Sequence, residues 1–466
     1  MSFPVPQGRQ REVVYLPEHG HTVVLGTAGS GKTTMAILRA NYLAELSRDG
    51  TDRVLLVTFN KALVTYLHTM TRTQHISPCI DVRNYHHFAR GYLHAKGFMR
   101  RDAIANPTVR QRLIERAIRA MRGTLPDAPI WQYPAIFFAE ECTWIAGCAI
   151  KSVEDYARFR RHPDAPELTA TACDCIFQVY QHYQSLREQT SYVYDWDDIA
   201  HMVEQILTQD QTPRYYRHVV IDEGQDFTPA MLRSFALAIP SDGSLTFFGD
   251  MAQQIYGNRI SWRMAGLHPA KPWEFRENYR NTRQIAALCL ALTKTAAFKG
   301  TVDLVTPRQP QADGPLPVIV HCATPQVERD LVVQQARALA PQQSVAILLQ
   351  RREDAYFYRD TLGGSSVHYL HRDLRTWSPQ GISVGTYHSA KGFEFDTVTL
   401  PQCTADRIPD GERLGAFASR TDGLAQEARL LYVSLSRART RLIIAHTGAL
   451  TPLLPQDKAL YQWVNR

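Results

Sequence analysis

No apolar run in this chain approaches the roughly 18 consecutive residues that a membrane-spanning helix requires, so no helical membrane span is expected and no membrane partner. The opening Met1-Ser2-Phe3-Pro4 lacks the apolar core of a secretory signal, and a cytoplasmic location is the expectation. Cysteine is sparse: eight over 466 residues do not make the disulfide framework of a small secreted domain. Four of them, Cys142, Cys148, Cys173 and Cys175, share one segment. Their C-x5-C and C-x-C spacings match no standard zinc or iron–sulfur pattern, and buried free thiols are the expected state. Internal repeats and low-complexity tracts are missing too. Charge of a single sign does not dominate either: the balance of +7 permits a polyanionic partner without demanding one.

What is present is an ordinary globular composition, 44% hydrophobic and 21% charged, over a length that suggests two to four domains. Short β-branched or apolar runs recur at 23–25, 53–59, 218–222, 244–249, 317–321, 344–349, 382–386, 396–400 and 441–445, several followed by helical stretches. That alternation predicts an α/β fold with parallel sheets. The runs form two groups. Between Gly91 and Arg214 strand signals thin out and helical spacing takes over, as in Thr108 to Arg119, which predicts a helical insertion in the first group.

The chemistry begins at Gly26-Thr27-Ala28-Gly29-Ser30-Gly31-Lys32-Thr33, which fits G-x4-G-K-[ST] between a short strand and a helix. Gly29 and Gly31 let backbone N–H groups curl around an anion, and the helix that follows points its positive end at it. Lys32 brings a cation to the outer phosphates and Thr33 a hydroxyl for Mg2+. A nucleoside triphosphate is the expected ligand.

A second element, His218-Val219-Val220-Ile221-Asp222-Glu223-Gly224-Gln225-Asp226, delivers adjacent carboxylates at the C-terminal edge of a strand, where open α/β sheets bind ligands. Asp222 can hold Mg2+, and Glu223 can orient and deprotonate an attacking water.

With these two elements in place, the chain resembles superfamily-one helicases of the UvrD, Rep and PcrA type, from about Gln10 to Gly448. Gln10-Arg11-Glu12 is similar to the adenine-reading Gln motif, with Gln10 as the specifying amide. Val57 to Leu63 resembles motif Ia and Asn84 to Phe88 motif Ib. Phe248 to Tyr256 resembles motif III, in which Gln253 would sense the γ-phosphate. Glu277 to Thr282 resembles motif IV: Tyr279 would stack on adenine and Arg280 contact the γ-phosphate. Gly385 to Asp396 matches motif V, implying that Glu394 meets the ribose and Thr386 the nucleic-acid backbone. Tyr432 to Arg439 resembles motif VI, with Arg437 as the arginine finger.

The resemblance implies two RecA-like motor domains sharing one ATP and Mg2+. Residues 1–90 with 214–275 would form the first, 91–213 its helical insertion and 276–466 the second. Lys32, Asp222, Glu223, Gln253, Arg280 and Arg437 would carry catalysis; Gln10, Gly29, Gly31, Lys32, Thr33, Thr34, Tyr279 and Glu394 would hold the nucleotide, and Thr33 and Asp222 the metal. It implies movement 3′ to 5′ along single-stranded or tailed duplex DNA, with Phe59, Asn60, Tyr85, His87, Tyr256, Trp262, Thr386 and His388 as strand contacts. An aromatic at such a position is more often core than a stacking face, and Trp262 is the favoured stacker because family members carry a base-stacking Trp just after motif III. Arg110, Arg112, Arg116, Arg119 and Arg122, with Arg158, Arg160 and Arg161, read either as a DNA-facing surface or as a solvated helix face.

Three features depart from the family. The interval from Arg283 to Val384 is mostly used up by the second group's own strands, so the large insertion of the second domain is expected to be absent or vestigial. Thr34 stands where Arg often follows the P-loop Thr, and Ser436 where Thr is usual, which keeps a hydroxyl. The compact size also suits an alternative: an ATP-switched subunit of a nuclease, repair or phage-defence complex with little unwinding of its own. A metabolic phosphotransferase would leave the motif IV and V matches unexplained.

Overall fold

The computed structural model describes residues 6, 9–27, 29–46, 52–58, 64–65, 77–100, 103–161, 168–250, 262–275, 281–298, 312–363, 367–371 and 380–466. Two fully parallel sheets organise them. The first carries β1 (Gly20–Gly26), β2 (Val54–Thr58), β3 (Ile80–Asn84), β4 (His218–Ile221), β5 (Ser244–Gly249) and β6 (Trp273–Phe275) in the order β3-β2-β4-β5-β1-β6. The second carries β7 (Val318–Cys322), β8 (Ser344–Leu349), β9 (Val367–Leu370), β10 (Gly381–Thr386), β11 (Phe395–Leu400), β12 (Ala438–Thr447) and β13 (Gln462–Asn465) in the order β13-β7-β12-β11-β8-β10-β9. This is an α/β protein with two RecA-like sheets. Each of the nine expected runs forms a strand, because a parallel strand buried on both faces reads as a nearly continuous apolar run, as in Val54–Thr58 and Ser344–Leu349, every residue of which is buried.

Register decides where chemistry can sit. Val57 pairs with Ile221, Ile221 with Phe247, and Leu25 with Gly249. The chain therefore leaves β1, β4 and β5 at one common rim, which brings the P-loop, Asp222 and Asp250 together. Helices cover both faces: α1 (Arg9–Val14), α2 (Lys32–Glu45), α3 (Tyr85–Ala95) and others on the first sheet.

The helices between α3 and β4 divide by core. α4 (Pro107–Thr124), α5 (Ala135–Cys148), α6 (Val153–Arg158) and α7 (Ala170–Glu188) enclose their own cluster around Ile114, Phe137, Phe138, Ile145 and Ile176. Cys142, Cys148, Cys173 and Cys175 are free, buried thiols of that cluster. By contrast, α8 (Ile199–Gln209) shares the core of the first sheet with α3 and α9 (Pro229–Leu237), through Val203, Leu93 and Phe235.

On the second sheet lie α10 (Arg283–Thr293), α11 (Pro325–Leu339), α12 (Arg352–Leu362), α13 (Gly411–Leu414) and α14 (Arg420–Leu435). Among the described residues from Arg283 to Val384, every strand belongs to this sheet, and α10, α11 and α12 pack against its strands. No helix of the described residues is long and apolar enough to cross a membrane.

Candidate active site

The P-loop follows β1 directly. Gly29 and Gly31 have φ of +79° and +83°, the left-handed region that a residue with a Cβ rarely adopts. A Cβ on Gly31 would also stand 3.1 Å from Gln10 Nε2. Gln10 lies there because α1 rests on α2, and its amide donates to the Ser30 carbonyl at 3.0 Å. Its link to the P-loop is therefore direct. Lys32 Nζ donates to the Gly26 and Thr27 carbonyls at 2.9 and 2.7 Å and pairs with Asp250 at 3.7 Å. Thr33 and Thr34 are half-buried in the first turn of α2.

Asp222 and Glu223, though adjacent, experience opposite fields. Burial and the neighbouring Glu223 charge push the Asp222 carboxyl up to about 7, against the pull of Thr33 and Lys32. For Glu223 burial also opposes ionisation, but the charges of Lys391, Arg437 and Lys32 and the Gln225 amide outweigh it, and its carboxyl stays below the ordinary value. Lys391 and Arg437 belong to the second lobe, so Glu223 already feels both lobes. Gln225 bridges further: its amide donates to Glu223, and its oxygen accepts the Asp250 backbone N–H at 2.9 Å. Asp226 forms a buried ion pair with Lys391 across the lobes.

Arg437 is buried and held by its own lobe, donating to the Val433 and Phe393 carbonyls at 3.0 and 3.3 Å and to Ser436 Oγ at 3.2 Å. Ser436 in turn donates to the Val433 carbonyl at 2.9 Å. Glu394 is half-buried at the approach to β11.

The buried hydroxyls of Thr27 and Ser30 have no hydrogen-bond partner among the described residues, and the Asp222 carboxylate is buried facing Thr33 and Lys32. Unsatisfied buried hydroxyls on the P-loop and a buried carboxylate facing Thr33 fit a phosphate with its divalent cation. The donor set agrees with Mg2+, which prefers a few hard oxygens.

Among the expected strand contacts, Tyr85 is corrected. It is fully buried, its hydroxyl bonds Ser234 at 2.9 Å, and its ring packs against Phe235 and Phe227, so it offers no face to a base. His87 is exposed at the start of α3. Trp262 is half-buried, with its ring edge-on to Phe247 at 5.1 Å. Thr386 and His388 are half-buried at the end of β10 and in the turn beyond it.

The arginines of the insertion also separate. Arg110 is held by Asp195 and Asp197, Arg161 by Glu141, and Arg160 donates to the Leu168 carbonyl, so these three are committed internally. Arg112, Arg116, Arg119, Arg122 and Arg158 are exposed. Phe59, Asn60, Gln253, Tyr256, Tyr279 and Arg280 lie outside the described residues.

A P-loop, two strand-end carboxylates and an arginine from a second parallel-sheet lobe define a two-lobed P-loop ATPase. The UvrD/REP helicase N-terminal domain family matches residues 7–269, and the UvrD-like helicase C-terminal domain family matches residues 359–448. The chain belongs to the UvrD/Rep family of ATP-dependent DNA helicases. It is 25% identical to the ATP-dependent DNA helicase UvrD2 of Mycobacterium tuberculosis, over 98% of this chain and 81% of that protein. DNA helicase IV of Escherichia coli is 22% identical over 95% of this chain and 68% of its own length. DNA helicase II of the same organism is 24% identical over 68% and 43%.

Sequence reasoning quoted Gln225, Asp226, Asp250 and Lys391 inside motifs but gave them no role. Their partners lie up to 165 residues away, and no local spacing announces such pairs.

Proposed function

We propose that this chain is a single-stranded DNA translocase and 3′-to-5′ helicase whose two lobes clasp ATP between them. The observation that carries the reading is the buried ion pair of Asp226 and Lys391 between the lobes, three residues from Glu223, whose carboxyl the charges of Lys391 and Arg437 hold below its ordinary value. A base whose ionisation depends on both lobes works best when they are together, which supports coupling turnover to closure.

In this reading Gln10 recognises the adenine and the Gly29–Lys32 backbone cradles the phosphates. Lys32 leaves its carbonyl partners for the outer phosphates. Glu223, oriented by Gln225, takes the proton of the attacking water. Arg437, with Arg280, neutralises charge as the γ-phosphate departs. Mg2+, held by Thr33 and Asp222, would offset phosphate charge when bound. Loss of the γ-phosphate removes what both lobes grip, and they part. Alternating closure and opening advances a strand held at His87, Trp262, Thr386 and His388. The second-sheet elements that fill the Arg283–Val384 interval support a short form without a large second-lobe insertion.

Two measurements test this. ATPase should rise steeply with added single-stranded DNA, and Lys32→Ala or Glu223→Gln should each lower it roughly 100-fold or more. A duplex with a 3′ tail should be unwound and one with a 5′ tail left intact. Strand-independent turnover would refute the motor, and the opposite polarity would refute the direction. Strand-stimulated ATPase without unwinding would favour a switched subunit acting beside a nuclease or repair partner.

A further inference from the structure

A second junction between the lobes lies outside the nucleotide residues. The segment from Asp410 to Ser419 belongs to the second lobe but docks on the helical insertion of the first. The Ala416 carbonyl accepts from Arg161 Nη1 at 3.0 Å, and the Ala418 carbonyl accepts from the Tyr133 hydroxyl at 3.1 Å. Phe417 places its ring 4.8 Å from the Arg161 guanidinium carbon, and Ala418 is buried within the insertion's own apolar cluster. The socket is built: Arg161 pairs with Glu141 at 3.2 Å, and the other oxygen of that fully buried carboxylate accepts from Tyr156 at 2.6 Å.

The same segment reaches the turn after β10. Arg413 Nε donates to Glu427 Oε1 at 2.8 Å, and its Nη2 stands 3.2 Å from His388 Nε2. A guanidinium has no acceptor, so His388 Nε2 must be the acceptor and the imidazole proton sits on Nδ1. Glu427 is fixed in turn by Gln350 and by the Asp410 backbone N–H, at 2.6 and 3.1 Å. From the opposite side Lys391, three residues along, is tied to Asp226 of the first lobe. Arg413 and Ala416 are so close in sequence that the chain between them spans only about 10 Å when extended, so undocking one end disturbs the other.

We propose that Asp410–Ser419 is a coupling strap, in which docking on the insertion through Tyr133 and Arg161 sets Arg413 as a positioning residue for His388. The proposal rests on the reading that His388 and Thr386 meet the DNA strand. The strap gives the helical insertion a mechanical route to the strand-contacting turn that bypasses the nucleotide.

The test uses the full chain and an oligo-dT probe. Tyr133→Phe/Phe417→Ala loosens the far anchor, leaving only the Arg161 bond to the Ala416 carbonyl and buried Ala418, and keeps the catalytic and strand-contacting residues intact. Its strand-free ATPase and ATP KM should stay within about twofold of wild type, while the oligo-dT concentration for half-maximal stimulation rises roughly 10-fold. Arg413→Ala should shift that half-saturation the same way, and combining all three changes should add little, since they cut one connection. If the pair impairs folding, Tyr133→Phe alone, which keeps the ring packed on Phe137, should show a smaller shift of the same sign. A strand-responsive wild type whose variants keep its half-saturation overturns the strap, as do fully additive effects. A wild type whose turnover ignores oligo-dT overturns the translocase reading and the strap with it.

Discussion

Glu223 adopts φ 53° and ψ 41°, a left-handed conformation for a residue with a side chain, at a cost of about 1 kcal/mol. That backbone twist separates it from Asp222, and the surroundings then drive the two carboxyls apart: one up to about 7, the other held ionised. Adjacent acids with divided properties suit one metal ligand and one base. Another buried titrating group, His218 at the start of β4, carries a different consequence. Burial, then Arg217 and other nearby cations, lower it to about 4, and its ring bonds Ser244 at 2.8 Å. A histidine with a depressed folded value binds its proton more readily when unfolded. Its neutral form is therefore fully compatible with folding above the unfolded value near 6.5, and stability is lost as pH falls from there toward 4. His218→Asn should flatten the fall in urea midpoint between pH 6.5 and 4.5, removing up to about 1.4 kcal/mol per pH unit. An unchanged slope would mean that His218 is not among the groups that set acid sensitivity.

At the scale of elements, α1 is six residues long and could not persist alone. It is fixed by Arg39 of α2, whose fully buried guanidinium donates to the Val14, Leu16 and Pro17 carbonyls at 3.0, 2.7 and 2.6 Å. Burial lowers Arg39 to about 10, still charged at neutral pH. Arg39→Ala strips three backbone carbonyls of a charged donor and should cost on the order of 3 kcal/mol. Because Gln10 rides on α1, the ATP KM should rise as well; lower melting with an unaltered KM would separate stability from adenine recognition. The sequence displayed most such elements, though unevenly. Strands buried on both faces announce themselves as apolar runs, and all nine were legible. Ile80-Asp81-Val82-Arg83-Asn84, Trp273–Phe275, Val367–Leu370 and Gln462–Asn465 were not, because they are edge or near-edge strands, short and partly polar. The site was legible where a motif is contiguous, as at Lys32 or Asp222. Tyr85 misled because an aromatic beside a strand end reads alike whether it packs inward or outward. Only tertiary packing against Phe235 and Ser234 decides it.

For the whole molecule, the question is what holds the lobes together. The Asp226–Lys391 pair is buried on both sides, with side-chain exposures of 4% and 5%. Burial raises the Asp226 carboxyl to about 6, opposed by Lys391 and reinforced by the Glu223 charge, so the pair leaves little attraction after desolvation. Removing one partner is a different matter. Lys391→Ala would leave the Asp226 carboxylate without its ion-pair partner and take from Glu223 the larger of the two second-lobe charges that hold it ionised. Within one rigid core such a loss costs about 3–5 kcal/mol and is paid as unfolding. Between two lobes there is a cheaper escape, since parting them lets water reach Asp226. Lys391→Ala should therefore raise the radius of gyration in small-angle scattering with little change in melting temperature, and weaken strand-stimulated ATPase. Asp226→Asn/Lys391→Ala, with one stranded charge removed, should recover part of the compactness. Unchanged scattering in Lys391→Ala, with a sharply lowered melting temperature, would show instead that the pair stabilises the fold and does not govern the cleft.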